Sequence, residues 1–418
     1  MLQVEILTIG DELLLGYTVD TNAAYLARAL ADAGIIVSRR ATVGDDATEI
    51  ARAVAEALDR TGAVITTGGL GPTADDRTRP AIAALFGREL RRDEGIVARL
   101  EARFREMGYA SMPPANLVQA MVPEGARLLA NGHGTAPGLW LEDARGRWVA
   151  MLPGVPREMR GMLADTLLPL LHERAGGEEG VVLSRTLRTT GIGESALAEH
   201  LGDLAAGVNG LPLAFLPGWE GVDLRVTARG MPRADAERAL EEAVSMLRER
   251  VGHRAYGEIG TDLAAVVLDA CRAGGVRVAT AESCTGGMLG ARLTAIAGSS
   301  DVYVGGVVAY DNSIKERLLG VDARLLREHG AVSEPVALAM ARGARERTGA
   351  EIAISITGVA GPGGGSAEKP VGTVWIAVVA PAGERASRRV FPGDREEIRR
   401  RATQGALDMV RRTLQPTL

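Results

Sequence analysis

Short apolar runs rich in Val, Ile and Ala alternate along this chain with longer amphipathic stretches. Residues 4–9, 35–37 and 63–67 predict strands. The stretch opened by Asp20-Thr21-Asn22 predicts a helix with Ala23, Leu26, Ala27 and Leu30 on one face. A second helix is expected after Val43-Gly44-Asp45-Asp46. Such alternation implies a parallel sheet wound on both faces, with ligands at the carboxyl ends of its strands. The pattern changes over residues 175–255, where strands at 181–187 and 222–228 and helices at 194–204 and 234–251 predict a small α+β unit. Its second helix carries Arg and Glu at spacings of three and four, which reads as a solvated face. Strand–helix alternation then returns, with strands expected at 276–280, 301–309, 352–356 and 371–379. Ser333-Glu334-Pro335 opens a helix, and an arginine-rich helix closes the chain at 396–414. Gly-rich and charged joints near 175–180 and 252–261 are the expected linkers, dividing the chain into residues 1–174, 175–256 and 257–418.

Candidate chemistry gathers where the strands end. The acidic pairs Asp11-Glu12, Asp45-Asp46 and Asp75-Asp76 follow three successive strands, the last at the end of the loop Gly68-Gly69-Leu70-Gly71-Pro72-Thr73-Ala74. Glycines let a backbone approach a phosphate, and a carboxylate there can hold a divalent cation bridging to it. Gly68, Gly69 and Gly71 are therefore the expected phosphate cradle. Asp11, Asp46 and Asp76 are the expected ligands of a divalent metal ion whose identity the sequence leaves open. The alternative is a tight turn with Asp75 as a helix cap. His133, between two glycines, is expected to be an exposed loop residue outside the site.

The second concentration is Ala281-Glu282-Ser283-Cys284-Thr285-Gly286-Gly287, between a predicted strand and a predicted helix. A strand-to-helix turn can present a nucleophile together with unpaired N–H groups suited to a phosphate or an oxyanion. Lysine sharpens the reading. Of 48 Lys plus Arg, only Lys315 and Lys369 are lysines, both downstream of this turn. Arginine cannot release its proton at working pH, whereas a desolvated lysine can. Cys284 competes with Ser283 as nucleophile, because thiols activate more readily. No histidine lies in the motifs of this region, however, and Cys284 is expected to be a packing residue.

Composition narrows the class. The chain has 418 residues, room for two or three domains, with 46% hydrophobic and 24% charged residues. A net charge of −5 gives no pull toward nucleic acid or anionic membrane. Two cysteines offer neither a disulfide framework nor zinc-ligand spacing. No signal segment or long apolar run is evident, so the expected location is cytoplasmic. The 53 glycines fall largely in clusters after apolar strands, as in α/β proteins that handle phosphates.

AESCTGG, YDNSIK, GAVSEPVA, ITGVAGPGGG, EKPVGTVW and FPGDR, in that order, resemble the nicotinamide mononucleotide amidohydrolase domain of the CinA family. Upstream, TTGGLGPTADD, NGHGTAPG and LPGVPREM resemble that family's molybdopterin-binding-like domain, and residues 175–256 its KH-like middle domain. Gly191-Ile192-Gly193-Glu194 is not the GXXG loop of RNA-binding KH domains, so nucleic acid is not an expected partner. The resemblance implies an N-terminal three-layer α/β/α domain, a small α+β middle domain serving as spacer or dimerisation module, and a C-terminal α/β amidohydrolase domain. It implies a homodimer without membrane attachment, acting on small nucleotides. In the C-terminal domain it implies hydrolysis of nicotinamide mononucleotide to nicotinic acid mononucleotide and ammonia without a cofactor. In the N-terminal domain it implies a divalent-metal-dependent ADP-ribose pyrophosphatase.

Deamidation needs a nucleophile, a base, an oxyanion donor and an acid for departing ammonia. The expected assignments are Ser283 as nucleophile, Lys315 as base and Tyr310 as relay, the three residues to which the resemblance also points. The N–H groups of Thr285, Gly286 and Gly287 are the expected oxyanion donors. Thr357, Gly358, Gly361 and Gly363 would hold ribose or 5′-phosphate, with charge-assisted bonds from Arg395 and Arg399. The rival reading is a nucleotide- or pterin-binding regulatory protein linked to competence or the DNA damage response.

Overall fold

Ala63–Thr67 and Trp148–Leu152 are buried at every position, because both lie in the middle of a sheet covered on two faces. The computed structural model describes residues 2–175 and 180–414; the core of the joint expected near 175–180 lies outside them. The chain forms two compact units, one of residues 1–183 with 228–238 and one of 184–227 with 239–418.

In the first unit the strands are β1 (Gln3–Ile9), β2 (Ile36–Val43), β3 (Ala63–Thr67), β4 (Leu90–Arg92), β5 (Met121–Pro123), β6 (Arg127–Leu129), β7 (Gly138–Glu142) and β8 (Trp148–Leu152). Six of them form a sheet of order β2-β1-β3-β8-β7-β6, and β4 pairs with β5 in a separate ribbon. The four strands from β2 to β8 run parallel, as alternation with helices requires, whereas β6 and β7 add antiparallel. Asp20 caps the helix Thr21–Asp32 by accepting from Ala23 N, and that helix buries Ala23, Leu26 and Leu30. Asp46 caps Ala47–Thr61, which ends on left-handed Gly62.

Next, β9 (Val181–Thr189), β10 (Leu213–Pro217), β11 (Val222–Met231) and β12 (Ala255–Glu258) make a sheet of order β10-β11-β9-β12, in which residues 181–183 and 228–231 belong to the first unit and the rest to the second. Then β13 (Val278–Glu282), β14 (Tyr303–Val308), β15 (Ile352–Gly358), β16 (Thr373–Ala380) and β17 (Gly383–Val390) form a sheet of order β14-β13-β15-β16-β17. Strand β13 is parallel to both its neighbours, β14 and β15, and β16 and β17 are antiparallel additions. Helices Leu263–Gly274 and Arg395–Leu414 pack with one apolar cluster, while Asn312–Leu319 and Glu334–Thr348 contribute to others. The carboxyl ends of β13, β14 and β15 therefore lie side by side, and each leads into one of the motif loops.

Candidate active sites

In the first unit a cleft of about 420 Å³ opens at the carboxyl ends of the parallel strands. Gly68, Gly69 and Gly71 line it together, as does Asp76. Gly68 and Gly69 have φ of +111° and +66°, and a Cβ would lie 2.2 Å from Ile9 O and 2.1 Å from Thr78 Oγ1 respectively. Only glycine fits there.

The acidic residues are arranged differently from expectation. Asp46 faces its own helix, accepting from Thr48 N at 2.9 Å and Glu49 N at 3.1 Å, and does not line the cleft. Asp76 ties the glycine loop by accepting from Gly71 N at 2.7 Å and from Thr73 N at 2.8 Å. Asp11 and Asp45 exchange backbone-to-carboxylate bonds at 3.0 and 3.3 Å. Among the described residues no three Asp, Glu, His or Cys side chains converge as a ready metal cage, so the expected trio Asp11, Asp46 and Asp76 is not assembled. The acids facing the cleft include Asp45, Asp75 and Glu12. Burial raises the pKa of Asp45; the bond from Asp11 N opposes this, and the charges of Asp11, Glu12 and Asp75 add to it.

Arg79, which the sequence reading missed, is buried behind the loop and donates to Leu70 O at 3.1 Å and Val118 O at 2.8 Å. Burial lowers its pKa to about 10, against the pull of Asp76. Nothing in the sequence separates it from the other arginines. His133 is partly covered rather than merely exposed: its Nε2 lies 2.7 Å from Asp165, outside the cleft.

In the second unit the turn after β13 is held from both sides. Ser283 N–H donates to Ile356 O and Ala309 N–H to Glu282 O, each at 2.8 Å. Ser283 is 8% exposed, and Lys315, from the helix beyond β14, is 1% exposed. Lys315 Nζ donates to Ala309 O at 2.9 Å and Tyr310 O at 3.2 Å, with no hydrogen bond to Ser283 among the described residues. Burial lowers the lysine pKa, opposed by Asp311 and the Cys284 thiol group. Cys284 packs into the core, and burial pushes its thiol up to about 12. A thiol so placed is a poor nucleophile. Tyr310 is exposed, and its hydroxyl accepts from Arg395 at 2.8 Å. The same guanidinium donates to Gly361 O at 2.5 Å, and Arg399 donates to Thr285 O at 2.7 Å. Arg395 and Arg399 thus join the serine turn, the strand-end tyrosine and the glycine loop.

Three assignments change. Gly286 N–H donates to Ser283 O at 3.0 Å, and Gly287 N–H to the buried carboxylate of Glu282 at 3.0 Å. Glu282 also accepts from Leu289 N at 3.0 Å and Gly290 N at 2.8 Å. The helix N-terminus is therefore satisfied by the protein's own anion, and Gly286 and Gly287 cannot be oxyanion donors in this arrangement. Thr357 is buried and donates to Ala331 O at 2.8 Å, so its hydroxyl serves packing. Gly358 is a close-approach position, where a Cβ would lie 2.8 Å from Thr373 O. Gly361 remains at the loop through Arg395, and Gly363 is exposed with open space about it. Lys369 only bridges to His329 O at 2.9 Å.

Comparison with known proteins divides the chain into three consecutive segments. Residues 5–173 match a probable molybdopterin binding domain, 184–257 the damage-inducible protein CinA KH domain, and 260–414 the CinA C-terminal domain. A CinA-like protein of Gemmatimonas aurantiaca is 62% identical over 98% of this chain and 96% of its own. One of Salinibacter ruber is 44% identical over 99% of this chain and 100% of its own. The solved competence/damage inducible protein CihA from Agrobacterium tumefaciens is 46% identical, covering 35% of this chain and 90% of its own, with a TM-score of 0.35. No helix among the described residues is long and apolar enough to cross a membrane. With a relative 62% identical along nearly its whole length and three domain models in register, the chain belongs to the CinA family.

Proposed function

We propose that the C-terminal domain hydrolyses the carboxamide of nicotinamide mononucleotide to the acid and ammonia. The observation that carries this reading is Lys315: an all but fully buried lysine held by two carbonyls rather than a carboxylate, beside a serine turn at parallel strand ends. A carboxylate partner would fix the charged form, whereas burial favours the neutral amine that a base requires.

In this mechanism Ser283 Oγ attacks the carboxamide carbon while its proton passes to Lys315, directly or across one water. The Thr285 N–H, which has no hydrogen-bond partner among the described residues, donates to the oxyanion. Collapse of the tetrahedral intermediate expels ammonia with the proton returned from Lys315. Water then cleaves the acyl-serine, with Lys315 again as base, and releases nicotinic acid mononucleotide. Arg395 and Arg399 keep donors free for the 5′-phosphate, since a guanidinium has five N–H groups.

The N-terminal cleft is proposed to cleave ADP-ribose at its pyrophosphate. Its lining supports this through the glycine loop, the buried Arg79 behind it and the acids Asp45 and Asp75. These oxygen donors fit a hard divalent cation held by one or two carboxylates and completed by substrate phosphates, rather than an all-protein cage. When bound, such a cation would neutralise charge on the diphosphate. Cytoplasmic location and a homodimer belong to the same proposal.

The test is ammonia release from nicotinamide mononucleotide by the full chain, alongside Ser283→Ala and Lys315→Arg. Release by the parent chain and loss in both variants is the expected result. A chain that releases none overturns the reading and favours a nucleotide- or pterin-binding regulatory protein; a Symbiobacterium thermophilum relative is named a putative competence-damage inducible protein.

A further inference from the structure

Within the second unit a cavity of about 810 Å³ lies between the loops at 190–193 and 219–221 on one side and β17 with the closing helix on the other. Its floor is apolar: a Cβ at Gly405 would lie 3.1 Å from Ile376 and 3.5 Å from Phe391. Its walls are cationic. Side-chain alternation along β17 places Arg385, Ser387 and Arg389 on one face, and the helix adds Arg401 and Arg412.

The acids around this space are already engaged. Glu220 pairs with Arg188 and Arg292, Glu384 with Arg342, and Asp408 with Arg411 and Arg412. Among the described residues Arg385, Arg389 and Arg401 have no carboxylate partner, and the buried Nε of Arg401 has no hydrogen-bond acceptor. Guanidinium groups left unneutralised around a partly enclosed space repel one another, and a buried N–H without an acceptor is unfavourable. An anion with several acceptor oxygens removes both defects, and an apolar floor of this size accommodates a flat ring beside it.

We propose that this cavity is a binding site for a ligand that joins two or more phosphate groups to a flat ring system, the chemistry of a nucleoside polyphosphate. Its lining does not include Ser283, Tyr310 or Lys315, so it is a second site on this unit. Glu220 in its wall also holds Arg292, 2.6 Å away on the helix that follows the serine turn. The proposal does not depend on the deamidase reading.

The probe is ATP without added metal, titrated calorimetrically into the full chain and into an Arg389→Gln/Arg401→Gln double variant. Any binding in the N-terminal cleft is common to both proteins, so the readout is one binding event lost or weakened at least about tenfold in the variant. Adenosine should not produce that event. Ser387→Glu, which adds a carboxylate from a half-buried position on β17, should give the same loss, and thermal melting shows that each variant is folded. Should the double variant fail to fold, Ser387→Glu decides alone. Isotherms of a folded Ser387→Glu protein that match the parent, or an adenosine affinity equal to that of ATP, overturn the proposal.

Discussion

The Nζ of Lys315 donates to Ala309 O at 2.9 Å, and Ala309 N–H in turn donates to the carbonyl of Glu282, the residue before Ser283. The base candidate is thereby fixed to the same strand ends as the nucleophile candidate. Lys315→Arg keeps a positive charge but removes the group that can become neutral. The expected loss is about 10²–10⁴-fold in ammonia release, in kcat more than in KM. Burial lowers the lysine pKa from its usual 10.5, so kcat should fall as pH drops through that lowered value and level off above it. Between 10.5 and that lowered value the unfolded chain binds a proton that the folded chain does not, so stability falls as pH drops through this range. A Lys315→Arg enzyme with near-parental kcat would remove the dyad.

Asp45 and Asp46 are adjacent yet do different work. Asp46→Ala should cost about 1 kcal/mol by uncapping the helix Ala47–Thr61, with AMP release from ADP-ribose retained per folded molecule. Asp45→Asn should abolish metal-dependent AMP release while leaving deamidation intact. Because the Asp45 pKa is raised above 3.8, cation affinity should weaken as pH falls through that raised value. Equal loss in both variants, or full activity of either in saturating chelator, would count against the assignment.

Much of this arrangement was legible because periodicity and turn chemistry act locally. Asp20 is a cap that follows from its neighbours, and β3 coincides to the residue with the run at 63–67, whereas Asp46, expected as a metal ligand, caps its own helix instead. What was missed depends on contacts across the fold. Glu282 looks like a loop residue, yet it ends β13, because its carboxylate satisfies three amides of the next turn and helix. Choosing among adjacent acids was equally out of reach, since which of two neighbours faces a cleft depends on strand ends brought together in space. The hairpin of β7 and β8 had a readable signal: two apolar runs flank Asp143-Ala144-Arg145-Gly146-Arg147, whose first carboxylate accepts from Arg145 N and Arg147 N, each at 2.9 Å. The edge strand β17 had none, because its arginines suit solvent and mask the strand pattern.

Glu282→Gln tests whether the helix after the serine turn relies on that carboxylate. Glutamine keeps one acceptor oxygen and turns an NH₂ toward backbone donors. The expected cost is roughly 1–3 kcal/mol, measured by urea unfolding, with catalysis impaired through the shape of the turn. An unchanged midpoint would mean that the three bonds add nothing to folding.

The last expectation concerns where the C-terminal domain can be cut. The linker reading near 252–261 makes 258–418 a self-sufficient piece, yet that piece leans on what precedes it. Arg411 is 3% exposed and donates to His253 O, Gln404 Nε2 donates to Thr190 Oγ1 at 3.2 Å, and Arg292 binds Glu220 at 2.6 Å. Tyr256 also enters the apolar cluster. Cutting before residue 258 leaves Arg411 with Asp408 alone and uncovers Tyr256-facing core. The site itself survives, because Ser283, Tyr310, Lys315, Arg395 and the glycine loop all lie beyond the cut, as do the bonds from Arg395 to Tyr310 and Gly361, from Lys315 to Ala309 and Tyr310, and from Ser283 N–H to Ile356. The fragment 258–418 should therefore melt several degrees below the full chain's C-terminal transition while keeping ammonia release within about threefold, a shift of under 1 kcal/mol in barrier height. A folded fragment that is inactive would show that the site is completed from outside, and an unchanged melting temperature would show that these contacts add nothing to stability.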